Sequence, residues 1–416
     1  MKKITLVIMN STLEIGGIQQ NFVKLMQYAL SKGHRVIWLY CAPMRIADVY
    51  KDLLHDIETV EYMRDYTNAN LAPNLHIHKN ETVKLLTSIP SNMHRAMLYA
   101  IQSECKDITP IYVVSNTKGR FNYIEDYYWG PVKKIVYNRY KDIIQKWHNY
   151  GLIRYFDIKH FDTYKAVYGI DHDKPIDLVW KSLFPLPPLD RNTLLKRVER
   201  SDFNIISVTR FDFPHKQYLL GLIKDYAKLK EKYSQIKLHI IGYGHDENVV
   251  KNLIKSLPTS TQTSITLYGQ KSEEDISKIM NNMHLNISVA ACVGLGAKNG
   301  VLSIPARNFC GEDCEVYGYL PDSRNMTVST EPGKRAIKYI EEVINMSNEE
   351  YLRKCIDSYN AYEIKNVDPD FMLRQKGNTT DFSFEKDYSN FFNLFVKTCD
   401  YFWKIGDIFK KLYNRK

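Results

Sequence analysis

The sequence has little that points to a membrane or to the extracellular space. The apolar run near its start, Ile4–Met9, is too short for the core of a signal peptide and suits a first strand instead. No apolar run reaches the roughly 18 residues needed to cross a bilayer. Seven cysteines among 416 residues do not make a disulfide scaffold. These absences predict a cytoplasmic protein.

Metal and dinucleotide motifs are missing as well. Cys310 and Cys314 lie close together, but no second pair of cysteines or histidines follows at zinc spacing. The first strand–loop–helix unit lacks the G-x-G-x-x-G pattern of dinucleotide-binding proteins. The sequence therefore predicts no metal site and no bound cofactor.

Positive charge is what the chain has in excess. Lys and Arg number 57 against 47 Asp and Glu, which gives a formal net charge of +10 at pH 7. Such an excess suits an anionic partner: a nucleotide, a nucleic acid or an anionic membrane face. A basic, solubilising surface explains the charge equally well. No nucleic-acid motif accompanies it, so nucleic acid is not the expected partner.

The first 41 residues predict a Rossmann-like unit. Two apolar strands, Ile4–Met9 and Arg35–Tyr40, flank a segment whose apolar residues recur at helical spacing. Gly16 and Gly17 precede this helix, and Gly33 ends it as a left-handed cap. A glycine pair at a helix start lets a ligand approach the backbone amides. A tight turn of the loop explains the pair as well.

A second α/β unit follows a proline-rich stretch, Phe184–Pro188, which predicts the joint between two domains. Short apolar runs that alternate with helical patterns predict a parallel sheet, with ligands at its carboxyl edge. Small or basic residues follow three of these strands: Gly242, Gly244, Gly269, Gly296, Ala297 and Lys298. They let a ligand lie against backbone amides. Close packing alone explains the small residues equally well.

The stretch from Ile205 to Ile223 carries the most specific signal. A short β-branched run is followed by a loop that contains Arg210 and Lys216, and then by a helix. A helix N-terminus beside two fixed cations suits a diphosphate, because Arg offers a planar fork and Lys a point charge. An ordinary exposed loop with two solvated cations remains the alternative.

Other segments give weaker signals. Lys133–Val136 is a candidate for a short strand. Asn138–Phe156 mixes basic and aromatic residues, which indicates either a headgroup or acceptor patch or, as we favour, a helix with one buried face. Phe391–Lys416 predicts a basic amphipathic helix that packs back on the protein or lies in an anionic interface. Packing is favoured, because its aromatic side chains carry much apolar area.

These pieces together resemble the GT-B fold and, more narrowly, the family-4 retaining (group 1) glycosyltransferases of bacterial surface-polysaccharide synthesis. The resemblance covers most of residues 1–40 and 200–310. The pieces that carry it are Gly16-Gly17, Gly33-His34-Arg35-Val36, Arg210 with Lys216, Gly242-x-Gly244, Gly269 before an acidic helix start, and Gly300–Pro305.

The resemblance implies two Rossmann-like domains that face each other across a cleft. We expect an N-terminal acceptor domain over 1–188, a donor domain over 189–385 and the tail helix over 386–416. The donor would be a nucleotide-diphospho-sugar, and the acceptor a glycan or lipid-linked molecule of a capsule or O-antigen pathway. Arg210 and Lys216 would hold the diphosphate and stabilise the leaving group, and the small residues named above would surround the donor. Peripheral contact with the inner membrane face is expected.

Two departures from the family pattern stand out. The family has Lys-Gly where this chain has Lys216-Gln217. It also has two glutamates before the Gly-x-Pro strand, and the one expected near the donor ribose falls at Leu295. No carboxylate lies between Leu285 and Arg307. Losing one charged hydrogen bond of this kind costs about 1.5–3 kcal/mol, which weakens donor binding without forbidding it.

Three rival functions stay open. The missing glutamates favour a catalytically degenerate GT-B subunit that binds another transferase. A sugar-nucleotide epimerase needs acids in the cleft, and no clear set is visible. A nucleic-acid binder would show steep salt dependence, but only the net charge supports it.

Overall fold

The structure is a computed structural model that describes residues 3–14, 16–62, 74–115, 130–172, 174, 177–199, 201–310, 313–362 and 367–377. These residues divide into two compact units. The first contains the described residues up to Phe184 together with 367–377, and the second contains those from Pro185 to 362. No helix in the described part of the chain is both long and apolar enough to span a bilayer.

The first unit is built on a six-stranded parallel sheet with the order β3-β2-β1-β4-β5-β6. Its strands are β1 (Thr5–Met9), β2 (Arg35–Tyr40), β3 (Glu58–Glu61), β4 (Val83–Thr87), β5 (Ile108–Val114) and β6 (Ile153–Tyr155). Its helices are α1 (Gly17–Ser31), α2 (Pro90–Gln102), α3 (Gly130–Asn149) and α4 (Ile158–Tyr168), with a 3-10 helix at Asp48–His55.

Side-chain alternation along β1 explains the layered core of this unit. Successive residues of a strand point to opposite faces of the sheet. Leu6 and Ile8 pack in one buried cluster with residues of α1, and Val7 and Met9 pack in a second cluster with Ala96 of α2. All five residues of β1 are buried, so the strand is central and reads as a continuous apolar run.

Residues 367–377 form a return segment on the first unit. Phe371, Met372 and Leu373 are buried in the cluster that contains α1. The ammonium of Lys84, itself buried in β4, donates to the carbonyl of Gln375 at 2.6 Å. The hydroxyl of Tyr28 donates to Asp370 at 2.8 Å. Polar and apolar contacts therefore attach this segment to the first unit.

The second unit holds a five-stranded parallel sheet with the order β11-β10-β7-β8-β9. Its strands are β7 (Phe203–Val208), β8 (Ile236–Ile241), β9 (Ile265–Leu267), β10 (Leu285–Ser288) and β11 (Leu302–Pro305), with a small antiparallel pair, β12 (Glu315–Val316) and β13 (Lys334–Arg335). The helices are α5 (Arg191–Val198), α6 (Tyr218–Lys232), α7 (Glu247–Lys255), α8 (Thr259–Gln262), α9 (Glu273–Met280), α10 (Ala291–Lys298), α11 (Ala336–Ile344) and α12 (Asn348–Ala361), with a 3-10 helix at Arg324–Met326.

The two parallel sheets confirm the predicted pair of Rossmann-like domains. Gly33 adopts a φ of 73°, as predicted for a left-handed cap. Two expectations were wrong. The prediction placed 367–377 in the second domain, whereas these residues pack in the first unit. Lys133–Val136 lies inside helix α3 and is not a strand. The predicted tail helix, 386–416, lies outside the described residues.

The basic and aromatic segment at Asn138–Phe156 is not one helix. Helix α3 ends at Asn149, and β6 follows at Ile153–Tyr155. Within α3, Tyr140, Ile144 and Trp147 are buried. The favoured prediction of a helix with one buried face therefore holds for the first part of the segment.

Candidate functional site

The second sheet has a switch point between β7 and β10. From β7 the chain moves outward through β8 and β9, and then returns to the other side of β7 to form β10 and β11. The β7–β10 pairing covers only Ile205 with Leu285 and Ile206 with Asn286. Beyond it, the amide of Val208 donates to the Ser288 hydroxyl at 3.0 Å. Ligands of open α/β sheets bind in the crevice at such a point.

A basic loop, residues 209–217, joins β7 to α6 at this switch point. Its first cation, Arg210, is half exposed and forms an ion pair with Asp212, at 2.9 Å between Nη2 and Oδ2. Its second cation, Lys216, is partly buried, and its ammonium donates to the Oδ1 of Asn308 at 3.1 Å. Within the described residues, Lys216 has no carboxylate in ion-pair contact. The two predicted cations thus have different partners.

The surroundings of Lys216 lower its pKa to about 8. Burial is the main cause, because it disfavours the charged ammonium; the nearby charge of Arg210 acts in the same direction. Cys292 and Asp212 oppose the shift. An anion placed beside the ammonium would stabilise its charged form. The site therefore favours an anionic ligand at this position.

An aromatic pair closes one side of the basic loop. The imidazole of His215 stacks on the ring of Phe309, with centroids 4.7 Å apart. The amide of Phe309 donates to the carbonyl of His215 at 3.1 Å, and Phe309 holds an unusual φ of 54°. Burial, together with the charge of Lys216, lowers the pKa of His215 to about 4, so the ring is neutral at pH 7.

The predicted glycines after β8 and β9 hold neighbouring loops against the basic loop. A Cβ added at Gly242 would lie 2.0 Å from the carbonyl oxygen of Thr209. At Gly244, where φ is 155°, it would lie 2.2 Å from the carbonyl oxygen of Phe211. The amide of Gly242 donates to the carbonyl of Gly269 at 3.0 Å. Gly242 and Gly244 therefore allow the loop after β8 to pack closely on the basic loop, and a backbone hydrogen bond joins it to the loop after β9.

The other predicted donor residues lie in the body of α10. A Cβ at Gly296 would clash with the side chains of Asn286 and Ser303, at 2.4 and 2.5 Å. Ala297 is fully buried in an apolar cluster. Lys298 lies in the last turn, about 10 Å along the axis from the start of the helix. Its ammonium forms an ion pair with Glu273. Among the described residues, the contacts of these three lie with Asn286 and Ser303, with an apolar cluster and with Glu273.

The turn between β10 and α10 is short and strained. Only Val289 and Ala290 separate the two elements, and Ala290 adopts a φ of 52° and a ψ of −133°. Its amide donates to the carbonyl of Thr327 at 2.6 Å. Leu295, where the family resemblance expects a glutamate, packs against an apolar cluster. No carboxylate comes from this turn or helix.

Gly16 and Gly17 lie in the first unit, where Gly16 immediately precedes α1 and Gly17 is the first residue of that helix. There the switch point of the sheet falls between β1 and β4. Gly16 has an extended backbone, with a φ of −170°, and α1 has neither a side-chain cap at Gly16 nor an acidic residue in its first turn. The first amides of α1 are therefore not capped by that residue. Nothing in the backbone angle of Gly16 requires glycine.

Sequence reasoning missed three parts of the site. Asn308 and Phe309 come from the segment after β11, far along the chain from the basic loop, and no local pattern marks them. Asp212 lies inside the predicted loop, where its spacing from Arg210 was the available signal. In the described part of the chain, no group of three or more His, Cys, Asp or Glu residues could hold a metal ion.

Comparisons with known proteins agree with this geometry. Residues 196–292 match the model of the family described as glycosyl transferases group 1. No curated protein matches the chain.

Several solved structures are similar over nearly the whole chain. A glycosyltransferase from Rickettsia africae has 17% identity and a TM-score of 0.59, and the match covers 89% of this chain and 96% of that one. HepE from Anabaena, solved with UDP and glucose, has 12% identity and a TM-score of 0.56, with 89% and 98% covered. TarM from S. aureus, solved as a mutant in a complex that includes UDP, has 7% identity and a TM-score of 0.53, with 90% and 99% covered.

The family match lies on the unit that carries the basic loop, and the structural similarity extends over both units. The chain has the GT-B fold and resembles the group 1 glycosyltransferases. The protein is a glycosyltransferase.

Proposed function

We propose that the protein transfers a sugar from a nucleotide-diphospho-sugar to a growing, lipid-linked glycan of a bacterial surface polysaccharide, with retention at the anomeric carbon. The observation that carries the donor proposal is Lys216, a partly buried cation at the switch point without a carboxylate partner among the described residues. The complexes of HepE and TarM with UDP support the same donor class.

The proposed reaction breaks the bond between the anomeric carbon and the diphosphate oxygen, and forms a bond from that carbon to an acceptor oxygen. The proton of the acceptor hydroxyl passes to the departing diphosphate oxygen. Negative charge develops on the departing nucleoside diphosphate. The positive charges of Lys216 and Arg210 stabilise it, and the dipole of α6 acts in the same direction. Asp212 keeps Arg210 beside the site. We assign no side chain as a general base, and we propose that transfer needs no metal.

We propose a narrower donor site than the sequence predicted. Arg210 and Lys216 hold the diphosphate, and Gly242, Gly244 and Gly269 shape the loops around it. Gly296, Ala297 and Lys298 support the fold of α10 instead. Gly16 and Gly17 would offer the free amides of α1 to the donor or acceptor. The capsule or O-antigen role and peripheral residence at the cytoplasmic membrane face rest on the family resemblance.

Thermal stability against a panel of nucleotides and nucleotide sugars tests the donor proposal. A ligand that binds the native state raises the melting temperature by mass action. We expect a shift with one family of diphospho-nucleotides, retained in EDTA and lost in Lys216→Ala. No shift with any nucleotide at millimolar concentration would reject the donor site.

A catalytically degenerate subunit is the second candidate. The lack of any carboxylate between Leu285 and Arg307, and the apolar packing of Leu295, favour it. Incubation with radiolabelled nucleotide sugars and a lipid extract separates the two. Donor binding with no labelled lipid or glycan product would favour the degenerate subunit, and a labelled product would exclude it.

A further inference from the structure

Asn308 has an unusual position for a buried amide in this unit. It lies three residues after β11, and only 3% of it is exposed. Its Oδ1 accepts from the ammonium of Lys216 at 3.1 Å, across 92 positions of the chain. Among the described residues, Asn308 is the side chain that accepts a hydrogen bond from the Lys216 ammonium.

The segment that carries Asn308 is itself held in place on both sides. The amide of Ala306 donates to the carbonyl of Ser288 at 2.8 Å, and the amide of Asn308 donates to the carbonyl of Ser329 at 3.1 Å. The next residue, Phe309, donates to the carbonyl of His215 and stacks on its ring. The amide oxygen of Asn308 is therefore fixed relative to the basic loop before any ligand arrives.

A neutral acceptor has a particular advantage at this position. A carboxylate would fix the ammonium equally well, but it would neutralise the charge and compete with an incoming anion. An amide oxygen accepts one hydrogen bond and leaves the positive charge available. Lys has three donors, so one bond to Asn308 leaves two for phosphate oxygens.

We propose that Asn308 is a positioning residue that holds the Lys216 ammonium in place for the donor diphosphate, a role that rests on the proposed function. The residue acts through Lys216 and does not itself need to touch the donor. The segment after β11 is then part of the donor site.

The groups that face Lys216 come from three elements. Arg210, Asp212 and His215 belong to the basic loop, Cys292 belongs to α10, and Asn308 belongs to the segment after β11. His215 is neutral above its pKa of about 4, and burial raises the pKa of Cys292 to about 11. Between pH 7 and 9.5, Lys216 is therefore the group in this set whose charge we expect to change.

A double-mutant cycle tests the proposal by calorimetric titration with UDP, and with pyrophosphate as a probe without a base. Asn308→Ala should weaken UDP binding about tenfold. The same change in a Lys216→Ala background should have less than about a twofold effect, because the partner is already gone. Equal losses in both backgrounds, or none in either, would overturn the proposal.

Asn308→Asp supplies a second measurement, the pH dependence of UDP affinity. This dependence should not change if Asn308 has a purely structural role. The new carboxylate should raise the pKa of Lys216, so the loss of UDP affinity at high pH should begin above the wild-type value. An unchanged pH profile in Asn308→Asp would contradict the proposal even if Asn308→Ala failed to fold.

Asn204→Ala is the matched control. Asn204 is a buried residue near the start of β7, in the second sheet. It therefore lies at the amino edge of the strands, opposite the edge that carries the basic loop. Its side chain contacts Asn282 and His239 there. We expect it to lower stability and keep UDP affinity. Failure of wild type to bind either UDP or pyrophosphate would reject the proposed function and this role together. Binding by wild type with no effect of Asn308→Ala would reject this role alone.

Discussion

Two lysines of the second unit show how differently the same residue type is used in the basic loop and in α10. Lys216 lies in the loop, where its ammonium meets a neutral amide. Lys298 lies at the end of α10, where its ammonium meets the carboxylate of Glu273. An ammonium paired with a carboxylate gains less from a further anion, because part of its charge is already balanced. The guanidinium of Arg210 differs, because its bond to Asp212 uses one of five N–H donors. A partly buried cation with only a neutral acceptor is available to an anionic ligand.

The residue that contacts a cation in the structure therefore indicates the role of that cation better than its position in a sequence motif does. Both lysines follow strands of the second sheet in sequence, and both were predicted to contact the donor. The two lysines differ in the residues that the fold places beside each ammonium. Those residues, Asn308 and Glu273, come from other segments of the chain.

The largest expected effect comes from the glycines that allow close packing of the basic loop and of α10. Gly242→Ala should cost about 3 kcal/mol of stability, because the added Cβ would overlap the Thr209 carbonyl. It should also displace the basic loop and weaken UDP binding at least about 100-fold. Gly296→Ala, which overlaps Asn286 and Ser303, should cost about 1–3 kcal/mol and leave UDP affinity unchanged.

Urea denaturation measures the two stabilities, and calorimetry measures the two affinities. Equal effects of the two glycine changes on UDP binding would remove the distinction between the regions.

Direct replacement of the lysines is expected to give the next largest difference. Lys216→Ala should weaken UDP binding about 10- to 100-fold, which corresponds to the roughly 1.5–3 kcal/mol of a hydrogen bond to a charged group. Lys298→Ala should change the affinity less than about twofold, since its charge pairs with Glu273. Calorimetric titration of both variants under the same salt concentration decides. A larger loss in Lys298→Ala would show that the original prediction for α10 was correct.

The pH dependence of binding sharpens the comparison further. Free Lys216 loses its proton as the pH rises through its pKa of about 8, whereas the diphosphate favours the protonated form. UDP affinity should therefore be steady below pH 8 and fall above it, by at most about tenfold per pH unit. UDP itself stays fully ionised in this range, because its last phosphate ionisation lies near 6.

Lys216→Arg is the control for this pH effect, because a guanidinium does not titrate below about pH 12. Its UDP affinity should stay level from pH 7 to 9.5, whatever its absolute value. A wild-type affinity that does not fall above pH 8 would mean that Lys216 does not hold the diphosphate.

The smallest expected effect concerns the turn that precedes α10. Ala290→Gly should raise stability by about 1 kcal/mol, because the backbone region that Ala290 occupies is open to glycine and strained for other residues. Denaturant titration measures this gain. Val289→Gly, one residue earlier and buried, is the comparison and should lower stability. Destabilisation by Ala290→Gly would show that the turn is not strained.

Local signals predicted a large part of the fold. Apolar β-branched runs gave the central strands of both sheets. Gly33 marked a helix end, and the acidic stretch after Gly269 marked a helix start; the structure confirms both. The short run at Lys133–Val136 was misassigned, because four apolar or basic residues fit a strand and a helix equally well. The rest of α3 supplies the apolar spacing that decides for a helix.

The site was predicted only in its local half. Arg210 and Lys216 share one loop, so sequence order alone places them together. Asn308 reaches Lys216 only because β11 lies beside β10, and β10 lies beside β7. The grouping of Gly296 and Lys298 with the donor rests on the same kind of local signal, and it stays a prediction. In the sequence, small residues that face a ligand cannot be told from small residues that pack a helix on the sheet. Gly296 is of the second kind, because it packs against Asn286 and Ser303.

The return segment at residues 367–377 makes the order of synthesis matter for this protein. Domains generally fold as they leave the ribosome, at about 5–20 residues per second. Here the first unit needs Phe371, Met372 and Gln375, which emerge about 190 residues, or roughly 10 to 40 seconds, after Phe184. The second unit can complete its sheet during that interval. The unit that begins the chain is therefore the last to be finished.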